Sequence, residues 1–196
     1  MPRPTLKDQR SAEILNAYLT CVARFGLEGA TQERIAAEAG VKRPLLRHYL
    51  GNRDDMTAAL ADHVINAFAE VTEAVSVHFG SQGEPSELID ALFDDGHGHD
   101  PRLMLAWQAL ATAAERIPDL GPKLTQSYAD FLAVIEGNLA RAYPSAPPER
   151  IRAVAHGVTA CAQNIDALVP ISPPAQWRDD LKAAALALLA SLESDA

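Results

Sequence analysis

The prolines constrain this chain more than any other feature. Its thirteen prolines, helped by several of its eleven glycines, fall between helix-length segments or at their first turns. A proline inside a helix removes a backbone donor and clashes with the preceding turn, costing about 3 kcal/mol, so these residues mark where helices begin and end. The first block runs from about Leu6 to Phe25, with Ile14, Leu15, Tyr18, Val22 and Phe25 at three- and four-residue steps, the spacing of one helical face. Thr31 is placed to cap a short helix through Ala39, Pro44 opens another to Leu50, and Asn52 caps a long one to Phe79. Pro85 and Pro101 start helices reaching Phe93 and Arg116. After Pro118 and Pro122 one more ends near Tyr143, then come Glu149–Val169 and a last helix at the C-terminus. Alanine and leucine dominate these segments and β-branched residues are sparse in them, which favours helix over sheet. The expected fold is all-α, with about nine helices and no strand.

Composition narrows the class. At 48% hydrophobic and 22% charged residues the chain can bury a core, which sets aside disordered and fibrous readings. No signal peptide or apolar run of about 18 residues is present, so the expected location is the cytoplasm, with no membrane partner. Cys21 and Cys161 lie far apart in apolar helical patterns and read as small buried thiols. The net charge of −9 would by itself oppose a nucleic-acid partner, but its distribution reverses that. Residues 1–53 hold nine Lys/Arg against five Asp/Glu, a net of +4, and the remainder carries −13. A basic head on an acidic body points to one end that meets a polyanion.

Within that head, Thr31–Leu50 carries the chemistry. Two short helices meet at Gly40-Val41-Lys42, a tight turn that holds helices at a steep angle. Ile35, Ala36, Ala39, Leu46, Tyr49 and Leu50 supply apolar faces, leaving Lys42, Arg43, Leu45, Arg47 and His48 outside. Arginine can read guanine edges or clamp phosphate, histidine and tyrosine can hydrogen-bond phosphate, and an exposed leucine can touch a thymine methyl. A merely solvated basic face is the alternative. The pattern Ala30-Thr31-x3-Ile35-Ala36-x2-Ala39-Gly40-Val41, followed by Leu46-x-His48-Tyr49-Leu50-x2-Arg53, resembles the N-terminal domain of the tetracycline-repressor (TetR) family without a gap over residues 10–56. That resemblance implies a homodimeric regulator, usually a repressor, that a small molecule releases from double-stranded DNA. It places Lys42, Arg43, Pro44, Leu45, Arg47 and His48 on the recognition helix, with Thr31, Tyr49 and Arg53 at backbone phosphates. Position 45 is usually small or hydroxylated in the family and position 47 usually tyrosine, so Leu45 and Arg47 depart from its pattern and the operator sequence does not follow from membership. Arg3 and Lys7 are expected on a short N-terminal segment that is either an arm able to reach phosphates or the minor groove or a disordered terminus.

The body is less explicit. Ile151, Val154, Val158, Cys161, Ile165 and Leu168 alternate at three and four, the spacing of helices packed side by side. Ala153, Gly157, Ala160 and Asn164 form a small-residue stripe beside them. With Leu181 and Leu188 of the last helix, Ile151, Val154, Gly157, Val158, Cys161 and Ile165 are the expected dimer seam, intrachain packing being the alternative. Met104, Trp107, Tyr128 and Phe131, with His156 and Asn164 as polar anchors, are the expected lining of an effector pocket, and the scarcity of buried charge favours a largely apolar effector. Asp94, Asp95, His97, His99 and Asp100 have a metal site's composition, but they sit on one glycine-containing loop with no rigid helical pair and read as solvated. No phosphate-cradling loop, nucleophile elbow or helical metal pair appears, so neither catalysis nor a cofactor is expected. The expected division is a DNA-binding domain over residues 1–53 and an effector-binding, dimerising domain over 54–196. An architectural DNA-binding protein without effector shares the head and differs in the body.

Overall fold

A computed structural model describes residues 5–79, 83–94 and 100–193. These form α1 (Leu6–Gly29), α2 (Gln32–Glu38), α3 (Arg43–Leu50), α4 (Arg53–Phe79), α5 (Pro85–Leu92), α6 (Pro101–Ala113), α7 (Leu120–Ala142), α8 (Pro148–Leu168) and α9 (Gln176–Ala190), with a 3-10 turn at Val169–Ile171. Among the described residues there is no strand, and the all-α expectation holds.

The helices start where the sequence offers partners for their orphan amides. Thr5 and Asp8 form a reciprocal capping box on α1: the Asp8 amide donates to Thr5 Oγ1 at 3.2 Å and the Thr5 amide to Asp8 Oδ2 at 2.9 Å. Hydrogen bonds from the Thr5 side chain and backbone hold the Asp8 carboxyl below the usual carboxylate range. Asn52 Oδ1 likewise accepts from the Asp54 and Asp55 amides, at 2.8 and 3.0 Å, to start α4. Two expectations need correcting. The first helix continues past Phe25 to Gly29 through a kink at Gly26, whose φ of 70° and ψ of 172° side-chain-bearing residues avoid. Lys7 belongs to the first turn of that helix and not to an arm, because the Thr5 cap begins the helix ahead of it; Arg3 lies outside the described residues.

Two compact units result. The first comprises Met1–Ala67 and Arg102–Leu124, the second Phe68–Pro101 and Thr125–Ala196. The first unit closes on Ile14, Leu19, Ile35, Leu46, Met56, Leu60 and Leu110, all fully buried. The second closes on Leu88, Ile89, Ile135, Leu139, Val154, Val158, Ala185 and Leu189. Within the second unit, α9 approaches α8 closely because Gly157 has no side chain: a Cβ there would lie 2.7 Å from Leu188 Cδ1.

One buried group of the second unit is costly. Thr159 is completely buried and its Oγ1 has no hydrogen-bond partner among the described residues. A buried hydroxyl without a partner forfeits its hydration. Thr159→Val, which keeps the shape and removes the hydroxyl, is expected to raise stability by about 1 kcal/mol, read as a higher melting temperature in thermal denaturation.

Candidate nucleic-acid interface

The turn between α2 and α3 builds the site. Thr31 caps α2, its Oγ1 accepting from the Arg34 amide at 3.3 Å. Gly40 then takes φ 63°, and Gly51 takes φ 82° at the far end of α3. Left-handed backbone of this kind carries little strain in glycine. At Gly51 a Cβ would also overlap the Asp55 carboxylate, so the tight passage from α3 into α4 requires glycine there. The Val41 amide donates to Ala36 O at 3.0 Å and the Leu45 amide to Lys42 O at 2.8 Å, holding the turn through its backbone.

α3 is held by one deep residue and exposes the rest. Leu46 is 0% exposed and is the only member of the helix that is buried. Tyr49 and Leu50 are half-buried, whereas Lys42, Arg43, Pro44, Leu45, Arg47 and His48 are exposed. Leu45, at 40%, is a large apolar side chain left in solvent. The His48 and Tyr49 rings meet edge to face with centroids 4.9 Å apart.

The positive charges of the head are not equivalent. Arg43 reaches back to α2, its Nη1 2.6 Å from Glu33 Oε1 and its Nε donating to Gln32 Oε1 at 3.0 Å. The Glu33 amide and then the Arg43 guanidinium hold the Glu33 carboxyl below the usual carboxylate range. Arg53 pairs with Glu28 at 3.1 Å, and Arg24 with Glu38 at 3.9 Å. Among the described residues, Lys42 and Arg47 form no ion pair. The uncompensated charge at α3 therefore lies with Lys42 and Arg47, while Arg34 on α2 donates to Gly29 O and stands over the Phe25 ring. Loss of the Thr31 cap is expected to loosen this arrangement. Thr31→Ala should cost about 1 kcal/mol, measurable as a lower urea midpoint at unchanged slope.

Beneath Arg53 the start of α4 is anchored on α1. The Thr57 hydroxyl donates to Arg53 O at 2.9 Å, and the buried Tyr18 hydroxyl lies 3.3 Å from Thr57 Oγ1. Burial pushes the Tyr18 phenol above its usual range. Both cysteines are free, and burial pushes both thiols up, which disfavours the nucleophilic thiolate.

The body residues expected to act separate into two sets. Met104, buried, and Trp107, half-buried, lie on α6 in the first unit. Tyr128, Phe131, His156 and Asn164 lie in the second. Tyr128 and Phe131 are half-buried on α7, and the Tyr128 and His156 rings are 6.4 Å apart. His156 and Asn164 occupy the exposed side of α8 in the single chain. The buried polar residues of α8 are Thr159 and Asp166, which sequence reasoning passed over. The signal available was a face made of Ala155, Thr159, Ala162 and Asp166 at helical spacing.

The residues expected at the dimer seam also differ in burial. Ile151, Val154, Val158 and Ile165 are buried in the core of their own unit, so their apolar surface is already covered. Gly157, Cys161, Leu181 and Leu188 are half-buried. The large apolar residues that α9 leaves exposed are Trp177, at 44%, and Leu186, at 39%. Of the acidic and histidine loop, Asp95, His97 and His99 lie outside the described residues; among those described, no cluster of metal-ligating side chains forms. No described helix is long and apolar enough to cross a membrane.

Short helices joined across a glycine turn, with a basic outer face and an all-helical body behind them, define a helix-turn-helix protein. No family model matches the chain. It is 24% identical over 162 residues to the HTH-type transcriptional regulator BetI of Burkholderia thailandensis, covering 82% of this chain and 81% of that protein. It spans only 62% of the length of the BetI of Burkholderia lata, at 25% identity over 122 residues. A solved structure from Mesorhizobium loti assigned to the TetR-family transcriptional regulators has a TM-score of 0.70 at 15% identity, covering 96% of this chain and 97% of that one. The transcriptional regulator FadR of Bacillus subtilis, in complex with stearoyl-CoA, has a TM-score of 0.59 at 16% identity, covering 94% of this chain and 98% of that one. The chain has the TetR-family fold, and the resemblance first carried by the head motif extends through the helical body.

Proposed function

We propose that this chain is a DNA-binding transcriptional regulator, a repressor that binds a palindromic operator as a homodimer and leaves it when a small, largely apolar effector binds. The observation that carries the reading is the outer side of α3, where Lys42 and Arg47 form no ion pair among the described residues and stand beside exposed Leu45 and His48. A solvated helix gains nothing from leaving such a side chain as Leu45 in water, whereas a major groove offers thymine methyls to it and guanine edges to Arg47. Residues 1–53 act as the DNA-binding part and 54–196 as the effector-binding and dimerising part of a cytoplasmic protein that is not an enzyme. Named relatives that are transcriptional regulators support the class, and a fold neighbour holding stearoyl-CoA supports a small-molecule effector.

Selection of bound sequences from random duplex DNA tests this directly. A palindrome with half-sites about 34–36 Å apart is the expected product; no enriched sequence at moderate salt would sink the proposal. The dimer is assigned to the sides of α8 and α9 that the core leaves free, with Ala153 and Ala160 allowing close approach and Trp177 and Leu186 supplying apolar area. Leu186→Glu would bury a charge at such a seam. Sedimentation velocity is expected to show a dimer for the wild type and a monomer for the variant, with operator affinity falling in parallel. An unchanged sedimentation coefficient would remove α9 from the interface.

A further inference from the structure

Glu28 holds two arginines at once. Its Oε2 accepts from Arg53 Nη2 at 3.1 Å and its Oε1 from Arg116 Nη2 at 3.0 Å. Arg53 opens α4 directly after the DNA-facing helix, and Arg116 follows the end of α6. Arg53 also donates to Leu27 O at 3.4 Å. The three side chains stand around a cleft of about 380 Å³ lined also by Asp54, Thr57, Ile117 and Pro118. At its other end α6 is tied to the same helix, Arg102 donating to Thr20 Oγ1 at 2.7 Å and to Asn16 Oδ1 at 3.1 Å. So α6, which carries Met104 and Trp107, grips α1 near both ends, and its far grip shares a carboxylate with Arg53.

We propose that Glu28 is a positioning residue that sets how freely Arg53 engages a DNA phosphate, and that Arg116 controls it by occupying one of its two oxygens. This rests on the DNA-binding reading. A carboxylate satisfied by Arg116 competes weakly for Arg53, so Arg53 can exchange it for a phosphate. When Arg116 lets go, the whole charge of Glu28 falls to Arg53 and draws it off the DNA. All three side chains are at least half exposed, where an ion pair is weak. Exchange between partners is therefore easy and the expected effect is graded, not all-or-none.

A double-mutant cycle on the full-length protein and its selected duplex tests this. Arg116→Gln is expected to weaken binding about threefold in the wild-type background and by less than about 1.5-fold in the Glu28→Gln background. Glu28→Gln alone is expected to tighten binding and steepen the salt dependence of affinity, since Arg53 then takes a phosphate more fully. Lys123→Gln removes the same charge from an exposed pair with Asp62 in the same unit and should change affinity by less than about 1.5-fold. Equal losses from Arg116→Gln in both backgrounds, or an equal loss from Lys123→Gln, would mean that only net charge matters and would overturn the inference while leaving the DNA reading standing. A wild type that binds no duplex would overturn both. Circular dichroism melts show that each variant is folded before its affinity is compared.

Discussion

Arg47→Ala is expected to weaken binding to the selected duplex by about 1–3 kcal/mol and to leave the folded protein's stability within about 0.5 kcal/mol of wild type. The two halves of that prediction come from the same geometry. Arg47 is exposed on α3 and its side chain forms no ion pair or hydrogen bond among the described residues, so truncating it breaks no side-chain bond inside the protein. Its charge is available to a partner without first being detached from one, unlike Arg43 with Glu33 and Arg53 with Glu28. Gel-shift titrations across a salt series distinguish its role. A phosphate contact lowers the salt slope by about one and weakens all duplexes alike, while a base contact relaxes specificity at one position. Unchanged affinity in both titrations would remove Arg47 from the interface.

Leu46→Ala should do the opposite at the neighbouring position. Leu46 is wholly enclosed and is the single buried residue of α3. Removing three carbons from such a site costs the lost transfer energy plus the cavity left behind, about 2–5 kcal/mol. The remaining apolar packing of α3 comes from half-buried Tyr49 and Leu50, which cannot close the gap without moving the helix. A large drop in the urea midpoint is expected, with faster amide exchange in α3 than in the second unit. DNA binding would fall as a consequence of the lost helix, so it should recover in part in Leu46→Met, which restores volume. A variant as stable as wild type would show that α3 is held by something other than its core residue. Adjacent residues one helical step apart would thus report separately on the scaffold and on the reading face.

The helical architecture was legible because its signals are local. Capping by Thr31 and Asn52, proline at first turns and a three-four apolar repeat each act within a few residues, and a reader of the sequence sees all of them. The basic side of α3 was legible for the same reason: spacing alone puts Leu46 on one face of the helix and Arg47 and His48 away from it. The continuation of α1 to Gly29 was harder to see, because a glycine can end a helix or merely kink it, and Gly26 does the latter.

Sequence spacing did not reveal which of two apolar faces is already occupied. Ile151, Val154, Val158 and Ile165 read equally well as a seam to a partner or as core, and packing within the second unit takes them for core. Glu28 and Arg116 were invisible for a related reason: 88 residues separate them, and no local rule connects a carboxylate at the end of one helix to a guanidinium just past another. Local physics in the sequence therefore determined the helices, their limits and the charged side of α3. The tertiary structure decided which charges on that head are already neutralised, leaving Lys42 and Arg47 unpaired among the described residues while Arg43 and Arg53 are held. Coulombic pairing depends on distance in space, and only folding brings Glu28 and Glu33 within reach of their arginines.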